Sequence, residues 1–284
     1  MSISRIAVLG AGTMGHGIAH VSAFAGYEVR LYDLEDSYVQ AGLEKIEANL
    51  DKGVARGKTD PEKAAAALPR IVGTSSLAQA VDGADLVIEA VPEKLELKRS
   101  LFAEVQKHAK DDLIFGSNTS SLSIAKIAEG VEDPSRVLGL HFFNPVHIMK
   151  LLEIVVHDGT SEAVLETCRA YGAAIGKECI TVRDVPGFAT SRLGVCLGME
   201  AIRMVEQEVA SPQDIDTAMV LGYRHPIGPL KLTDLVGLDV RMNIGEYLAQ
   251  ELDNAAFEPP ALMRKMVADG QLGQKSGQGF YDWS

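Results

Sequence analysis

Two ionisable residues stand where buried strands are expected. In "LGLHFFNPVHIMKLLEIV", Leu138 to Val155, His141 interrupts one apolar run and Glu153 the next, twelve residues on. An imidazole can take a proton near neutral pH, and a carboxylate can orient it and offset the charge it gains. The polar loop "SNTSSL" just upstream adds Asn118 and Ser120, and Asn144 follows His141 closely. A hydroxyl such as that of Ser120 can hydrogen-bond a substrate oxygen. Together these groups suit removal of a proton from an alcohol while hydride leaves its carbon. A single histidine on an apolar strand is more often a core residue. The chemical reading therefore needs a hydride acceptor elsewhere in the chain.

"RIAVLGAGTMGHGIAHVSAFAGYEVRLYD" supplies the place for one. Arg5 to Leu9 read as a buried strand, Gly10, Gly12 and Gly15 form G-x-G-x-x-G around Thr13 and Met14, and a helix follows toward Gly26. A second strand ends at Asp33, eighteen residues past Gly15. The first glycine permits the tight turn, the second lets the backbone approach a pyrophosphate, and the third lets helix and strand pack closely. The helix start offers N–H groups and a positive dipole end to phosphates. Asp33 can accept bonds from ribose hydroxyls and repels a 2′-phosphate, so NAD is expected rather than NADP.

Around that unit, strands alternate with helices: "PRIVGTSSL", "ADLVIEAVPEKLELKRSLFAEVQKHA", "DLIFGSNTSSLSIAKIA", "RVLGLHFFN", "KLLEIVVHDG" and "ECITVRDV". The pattern predicts an α/β fold with a doubly wound, mostly parallel Rossmann-type sheet over residues 1–184. Glu93 and Lys98 are expected in the first turns of the helix after "ADLVIEAV", at the sheet edge where such folds bind ligands. A helical arm is expected at about 36–69, carrying Lys52 and Arg56 among scattered charges. From 185 the pattern turns helical. One long helix should run to about Val209, and another should start at Pro212, capped by Ser211. "GPLKLTDLVGLDVRMNIGEYLAQEL" and "PPALMRKMVADGQLG" supply two more segments. A smaller all-helical domain over 185–284 follows, with apolar faces able to bury a subunit interface.

Bulk properties exclude several classes. The 284 residues carry a formal net charge of −12, which argues against a nucleic-acid binder. No apolar run approaches the ~18 residues that span a bilayer, so no membrane association is expected. Three cysteines, Cys168, Cys179 and Cys196, show neither a disulfide framework nor metal-ligand spacing, so no metal is expected. The N-terminal apolar run is too short for a signal peptide. A cytoplasmic protein is the expectation.

With these motifs in place, the chain resembles the L-3-hydroxyacyl-CoA dehydrogenase family, in its stand-alone bacterial form, over essentially its whole length. The resemblance rests on "GAGTMGHGIA", "EAVPEKLELK", "SNTSSL", "HFFNPVHIMKLLEI", "PGFATSRL", "HPIGPLKLTDLVGLD" and "GQKSGQGFYDW". It implies NAD-dependent, reversible oxidation of the 3-hydroxyl of an acyl-CoA, with a short-chain substrate such as 3-hydroxybutyryl-CoA. It further implies that His141 is the base, Glu153 its partner and Ser120 the residue bonding the substrate oxygen. Gly10, Gly12, Gly15, Asp33, Glu93, Lys98, Asn118, Ser120, Asn144 and Lys275 match positions lining the cofactor site. Asn49, Lys52 and Arg56 on the arm match the region that contacts CoA, and the helical domain implies a homodimer. One position departs: Ser191 stands where many members carry asparagine, and serine has a shorter reach and one rotatable donor.

Overall fold

A computed structural model describes residues 2–284. Its contacts divide the chain into Met1–Asp184 and Val185–Ser284.

The first unit is built on strands that are apolar on both faces. β1 (Arg5–Leu9), β4 (Leu86–Glu89), β5 (Ile114–Ser117) and β6 (Val137–Phe142) are almost wholly buried, as parallel strands covered by helices on both sides must be. With β2 (Glu28–Tyr32), β3 (Ile71–Thr74), β7 (Leu151–Val156) and β8 (Glu178–Arg183) they form one sheet in the order β3-β2-β1-β4-β5-β6-β7-β8. The chain winds outward one way from β1 to β3 and the other way from β4. The switch point therefore lies between β1 and β4, where open α/β sheets open a crevice at the strands' carboxyl ends. Every neighbouring pair is parallel except β6 and β7. Loop length explains the exception. A parallel crossover needs a dozen or more residues, whereas only residues 143–150 join β6 to β7. The chain must double back.

α1 (Gly15–Phe24) packs against the sheet through Ile18, Ala19 and Val21. Gly17 lets it touch the loop after β6, since a Cβ there would lie 2.8 Å from Val146 Cβ. α2 (Asp36–Ala55) buries a stripe of Val39, Gly42, Ile46 and Leu50 at helical spacing and leaves its other faces charged. α3 (Pro61–Ala67) starts at Asp60, whose side chain accepts the N–H groups of Glu62 and Lys63. α4 (Leu77–Val81) is a helix that the sequence pattern did not mark, being only five residues long. α5 is Leu95–Gln106, so Lys98 lies in its first turn but Glu93 belongs to the preceding loop, correcting the expected placement. α6 (Ile124–Ala128) and α7 (Glu162–Ala174) complete the unit.

The second unit is helical. α8 (Thr190–Glu206) stops before the expected Val209 because Glu208 turns to φ 57°. α9 (Pro212–Thr217), capped by Ser211, runs into a π-helical turn over Ala218–Gly222. The segment read as one helix is two, α10 (Pro229–Val236) and α11 (Leu238–Leu252), broken at Gly237 with φ 104°. α12 is Ala261–Ala268. Val195, Met199, Ile202, Leu230, Leu238 and Leu248 form the core of these helices, each contributing about 1.5–3 kcal/mol on burial. Asp234 holds the C-terminal tail by accepting from the N–H groups of Phe280 and Tyr281 and from the Trp283 indole.

Candidate functional site

The antiparallel return fixes the central pair. In the β6–β7 register His141 stands directly opposite Glu153, so both side chains project from the same face at cross-strand distance. His141 Nδ1 lies 2.6 Å from Glu153 Oε2. The side chains are 6% and 0% exposed. An ionised carboxylate only accepts, so the pairing places the imidazole proton on Nδ1 and the lone pair on Nε2. That tautomer equips Nε2 to accept a proton while the carboxylate stabilises the imidazolium formed. Burial strengthens the interaction by lowering the local dielectric. The Phe143 ring lies 4.4 Å from the imidazole, centroid to centroid.

The loop after β5 is bound to this strand end. Asn118 Oδ1 accepts from Phe142 N–H at 2.9 Å, one residue beyond His141. Glu93 braces the same loop: its Oε1 accepts from Thr119 Oγ1 at 2.5 Å and from Ser120 N–H at 2.9 Å. Thr119 Oγ1 in turn accepts from Leu122 N–H at 2.9 Å. With its backbone held, half-buried Ser120 can present its hydroxyl from a fixed position.

Beneath this loop lies a residue that the sequence did not single out. Glu89, the last residue of β4, is fully buried and receives Lys98 Nζ at 2.8 and 2.9 Å. Lys98 also reaches Glu93 Oε2 at 3.2 Å. Ser117 Oγ and Val91 N–H complete the donors to Glu89. Burial pushes the Glu89 carboxyl upward, and Lys98, Ser117 and Val91 oppose it. With its side chain 1% exposed, Lys98 acts from below, neutralising Glu89 and steadying Glu93. An acid ending an apolar strand nine residues before a lysine was the available signal.

The glycine turn has the shape a dinucleotide needs. Gly10 adopts φ 103°. A Cβ on Gly15 would lie 1.6 Å from Gly10 O, so only glycine lets α1 approach β1 here. A Cβ on Gly12 would meet nothing within 4 Å, leaving room for a pyrophosphate beside the backbone. Met14 at the N-cap makes no side-chain cap, so the first amides of α1 are not claimed by it. Thr13 is exposed and Met14 half-buried in the turn. Asp33 accepts from Ala11 N–H and from Leu34 N–H, both at 2.8 Å, which aims its carboxylate at the turn. A carboxylate retains acceptor capacity beyond two bonds. The residues present therefore fit an adenosine ribose and a pyrophosphate.

The other expected residues lie further out. Asn144 is exposed after β6 and precedes Pro145 through a cis peptide bond. Asn49, Lys52 and Arg56, spaced by three and four, share one face at the end of α2, with Lys52 and Arg56 exposed. In the second unit Ser191 is half-buried in the first turn of α8. Lys275 pairs with Asp239 at 2.6 Å.

Comparison with known proteins gives a consistent result. Residues 5–185 match the 3-hydroxyacyl-CoA dehydrogenase NAD binding domain, and residues 187–283 match the C-terminal domain of the same family. The chain is 40% identical over 283 residues to a probable 3-hydroxybutyryl-CoA dehydrogenase of Bacillus subtilis, covering 100% of this chain and 98% of that one. It is 41% identical over 284 residues to a 3-hydroxybutyryl-CoA dehydrogenase of Mycobacterium tuberculosis, covering 99% of each. The solved structure of an (S)-3-hydroxybutyryl-CoA dehydrogenase from Ralstonia eutropha matches with a TM-score of 0.95 at 38% identity, over 100% of both chains.

Proposed function

The chain belongs to the 3-hydroxyacyl-CoA dehydrogenase family, and from that premise we propose that it interconverts a short-chain L-3-hydroxyacyl-CoA, 3-hydroxybutyryl-CoA foremost, and its 3-ketoacyl-CoA, with His141 as the base. The protein is an NAD-dependent oxidoreductase. NAD, when bound, supplies the hydride acceptor. Gly10, Gly12, Thr13, Met14, Gly15 and Asp33 hold its adenosine half, and Glu93, Lys98, Asn118, Ser120, Asn144 and Lys275 serve the nicotinamide end. His141 accepts the proton of the substrate hydroxyl at Nε2. Glu153 keeps the ring in the competent tautomer and stabilises the positive charge that forms. The Ser120 hydroxyl bonds the substrate oxygen. Asn49, Lys52, Arg56 and Ser191 contact the acyl-CoA.

The observation that carries this reading is the buried His141–Glu153 bond, in a unit that also carries a dinucleotide turn. The names of the relatives support the short-chain preference. Exposed Leu193, Leu232, Leu235, Val236 and Val240 support a homodimer through the helical unit, which sedimentation would measure. Among the described residues no helix is long and apolar enough to cross a membrane. We place the enzyme in the cytoplasm, acting in fatty-acid β-oxidation. The test is NADH oxidation by acetoacetyl-CoA against free acetoacetate. Turnover with the thioester alone is the expected result, and equal turnover with the free acid would overturn the assignment to acyl-CoA.

A further inference from the structure

The first unit buries an acid one step removed from the reacting groups. Glu89, at the end of β4, has a side chain 0% exposed. Its Oε1 accepts from Lys98 Nζ at 2.8 Å and from the Ser117 hydroxyl. Its Oε2 accepts from Lys98 Nζ at 2.9 Å and from Val91 N–H at 3.2 Å. Burying a charge is costly unless it is paired, and apolar side chains in place of a buried ion pair are often no worse for stability. Stability alone therefore gives a weak reason for this pair. What distinguishes it is where its partners lead.

Two chains of hydrogen bonds leave the buried carboxylate, and both end on the loop that carries Ser120. On one side Lys98 Nζ reaches Glu93 Oε2 at 3.2 Å, and Glu93 Oε1 accepts from Thr119 Oγ1 at 2.5 Å and from Ser120 N–H at 2.9 Å. On the other side Ser117 Oγ accepts from Thr119 N–H at 3.3 Å. The main-chain oxygen of Glu89 adds a third hold, accepting from Asn118 N–H at 2.9 Å. Charge gives the first chain its direction. The Lys98 side chain, 1% exposed, lies between Glu89 and the more open Glu93, and its shorter bonds go to Glu89. That division leaves Glu93 Oε1 turned to the loop. Without the charge on Glu89, the ammonium is left with Glu93 and is drawn toward it. Glu93 then exchanges its bonds to Thr119 and Ser120 for the cation, and Ser117 loses a charge-assisted acceptor.

We propose that Glu89 is a positioning residue for the reaction, fixing Ser120 through Lys98 and Glu93 on one side and through Ser117 on the other. The role given to Ser120 rests on the dehydrogenase reading.

Turnover of acetoacetyl-CoA at saturating NADH is compared in the full-length wild type, Glu89→Gln, Ser120→Ala and the double variant. Networks of this kind are apportioned by such a cycle. Glu89→Gln keeps the size of the side chain and removes its charge. Alone it should lower kcat roughly 10-fold, the lower end for a lost hydrogen bond to a charged group. With Ser120→Ala already present, it should change kcat by no more than about 2-fold, since the hydroxyl it places is gone. An acid that served only the fold would slow both backgrounds by the same factor. Equal factors, or a Glu89→Gln enzyme as fast as the wild type, overturn the proposal. If Glu89→Gln gives no folded protein in urea titration, Ser117→Ala takes its place in the cycle, because it leaves the Glu89–Lys98 pair intact. A loss that vanishes with Ser120→Ala then supports the proposal, and an equal or absent loss overturns it. Ser120→Ala by itself keeps the two readings apart. A wild-type rate in that variant removes the role of Ser120 and the proposal together, whereas a reduced rate with equal factors removes only the role of Glu89.

Discussion

Two histidines of the first unit are hidden from water almost equally, His141 at 4% and His20 at 6% exposure, yet their surroundings are opposite. His141 sits on β6 and donates to a carboxylate on the neighbouring strand. His20 sits on α1, stacked on the His147 ring at 5.3 Å and 13°, with no hydrogen-bond partner at Nδ1. Burial pulls the His20 pKa down to about 4, assisted by His147, His16 and Lys177. A proton arriving at His20 meets desolvation and positive neighbours. One arriving at His141 meets an anion aligned to receive the resulting charge. Concealment alone does not make a base, because the neighbour decides which protonation state the site favours.

The largest effect that probes this contrast is loss of the proposed base. His141→Gln should reduce turnover roughly 10²- to 10⁴-fold while NADH affinity, measured by fluorescence titration, stays near that of the wild type. Wild-type rates in that variant would remove the distinction between the two histidines. A third buried ionisable group sets the scale for an unmatched charge. Lys98→Met strands Glu89 in the core and should cost about 3–5 kcal/mol of stability. The double variant with Glu89→Gln should recover most of it, as read from urea midpoints. A double variant no more stable than the single one would mean that the charges of Lys98 and Glu89 do not oppose each other.

The contrast between His141 and His20 was only partly visible in the chain. The glycine turn, Asp33 and the polar loop at Asn118 and Ser120 could be read because each depends on short spacing within one strand–turn–helix unit. The apolar runs around His141 and Glu153 were legible too. Their face-to-face register follows from a loop too short for a crossover, which spacing alone suggests but does not align. Glu89 escaped because a carboxylate ending an apolar strand looks like any strand terminus until Lys98 folds over it. The break at Gly237 escaped because apolar periodicity continues on both sides of it. Arg241 was not singled out in the sequence, because its burial depends on contacts with Gly194 and Gly198 in a different helix.

Removing the anion rather than the base is a subtler intervention. Glu153→Gln preserves size and retains an acceptor for Nδ1–H, so the ring should keep its place. What disappears is the negative charge that accompanies proton uptake. Hydrogen bonds to charged groups contribute about 1.5–3 kcal/mol, so kcat should fall roughly 10- to 100-fold and the pH–rate profile should shift with it. A reduced rate with an unmoved profile would reduce Glu153 to a packing role and make the two histidines more alike than their neighbours suggest.

The smallest effect belongs to His20 and appears in stability rather than rate. Its folded value, about 4, lies below the ordinary 6.5 of an unfolded chain, so folding keeps the ring neutral. That contribution is complete above the unfolded value and is lost as pH falls through the folded one. Between pH 7 and 4.5 the wild type should therefore lose about 2 kcal/mol on account of this group. His20→Leu has no proton to exclude, and since Nδ1 makes no hydrogen bond, the substitution forfeits none there. Urea midpoints at the two pH values should show a flatter dependence in the variant. Parallel curves would mean that water or a shift of His147 relieves the ring on protonation, and that His20 is hidden from solvent without being held neutral by its surroundings.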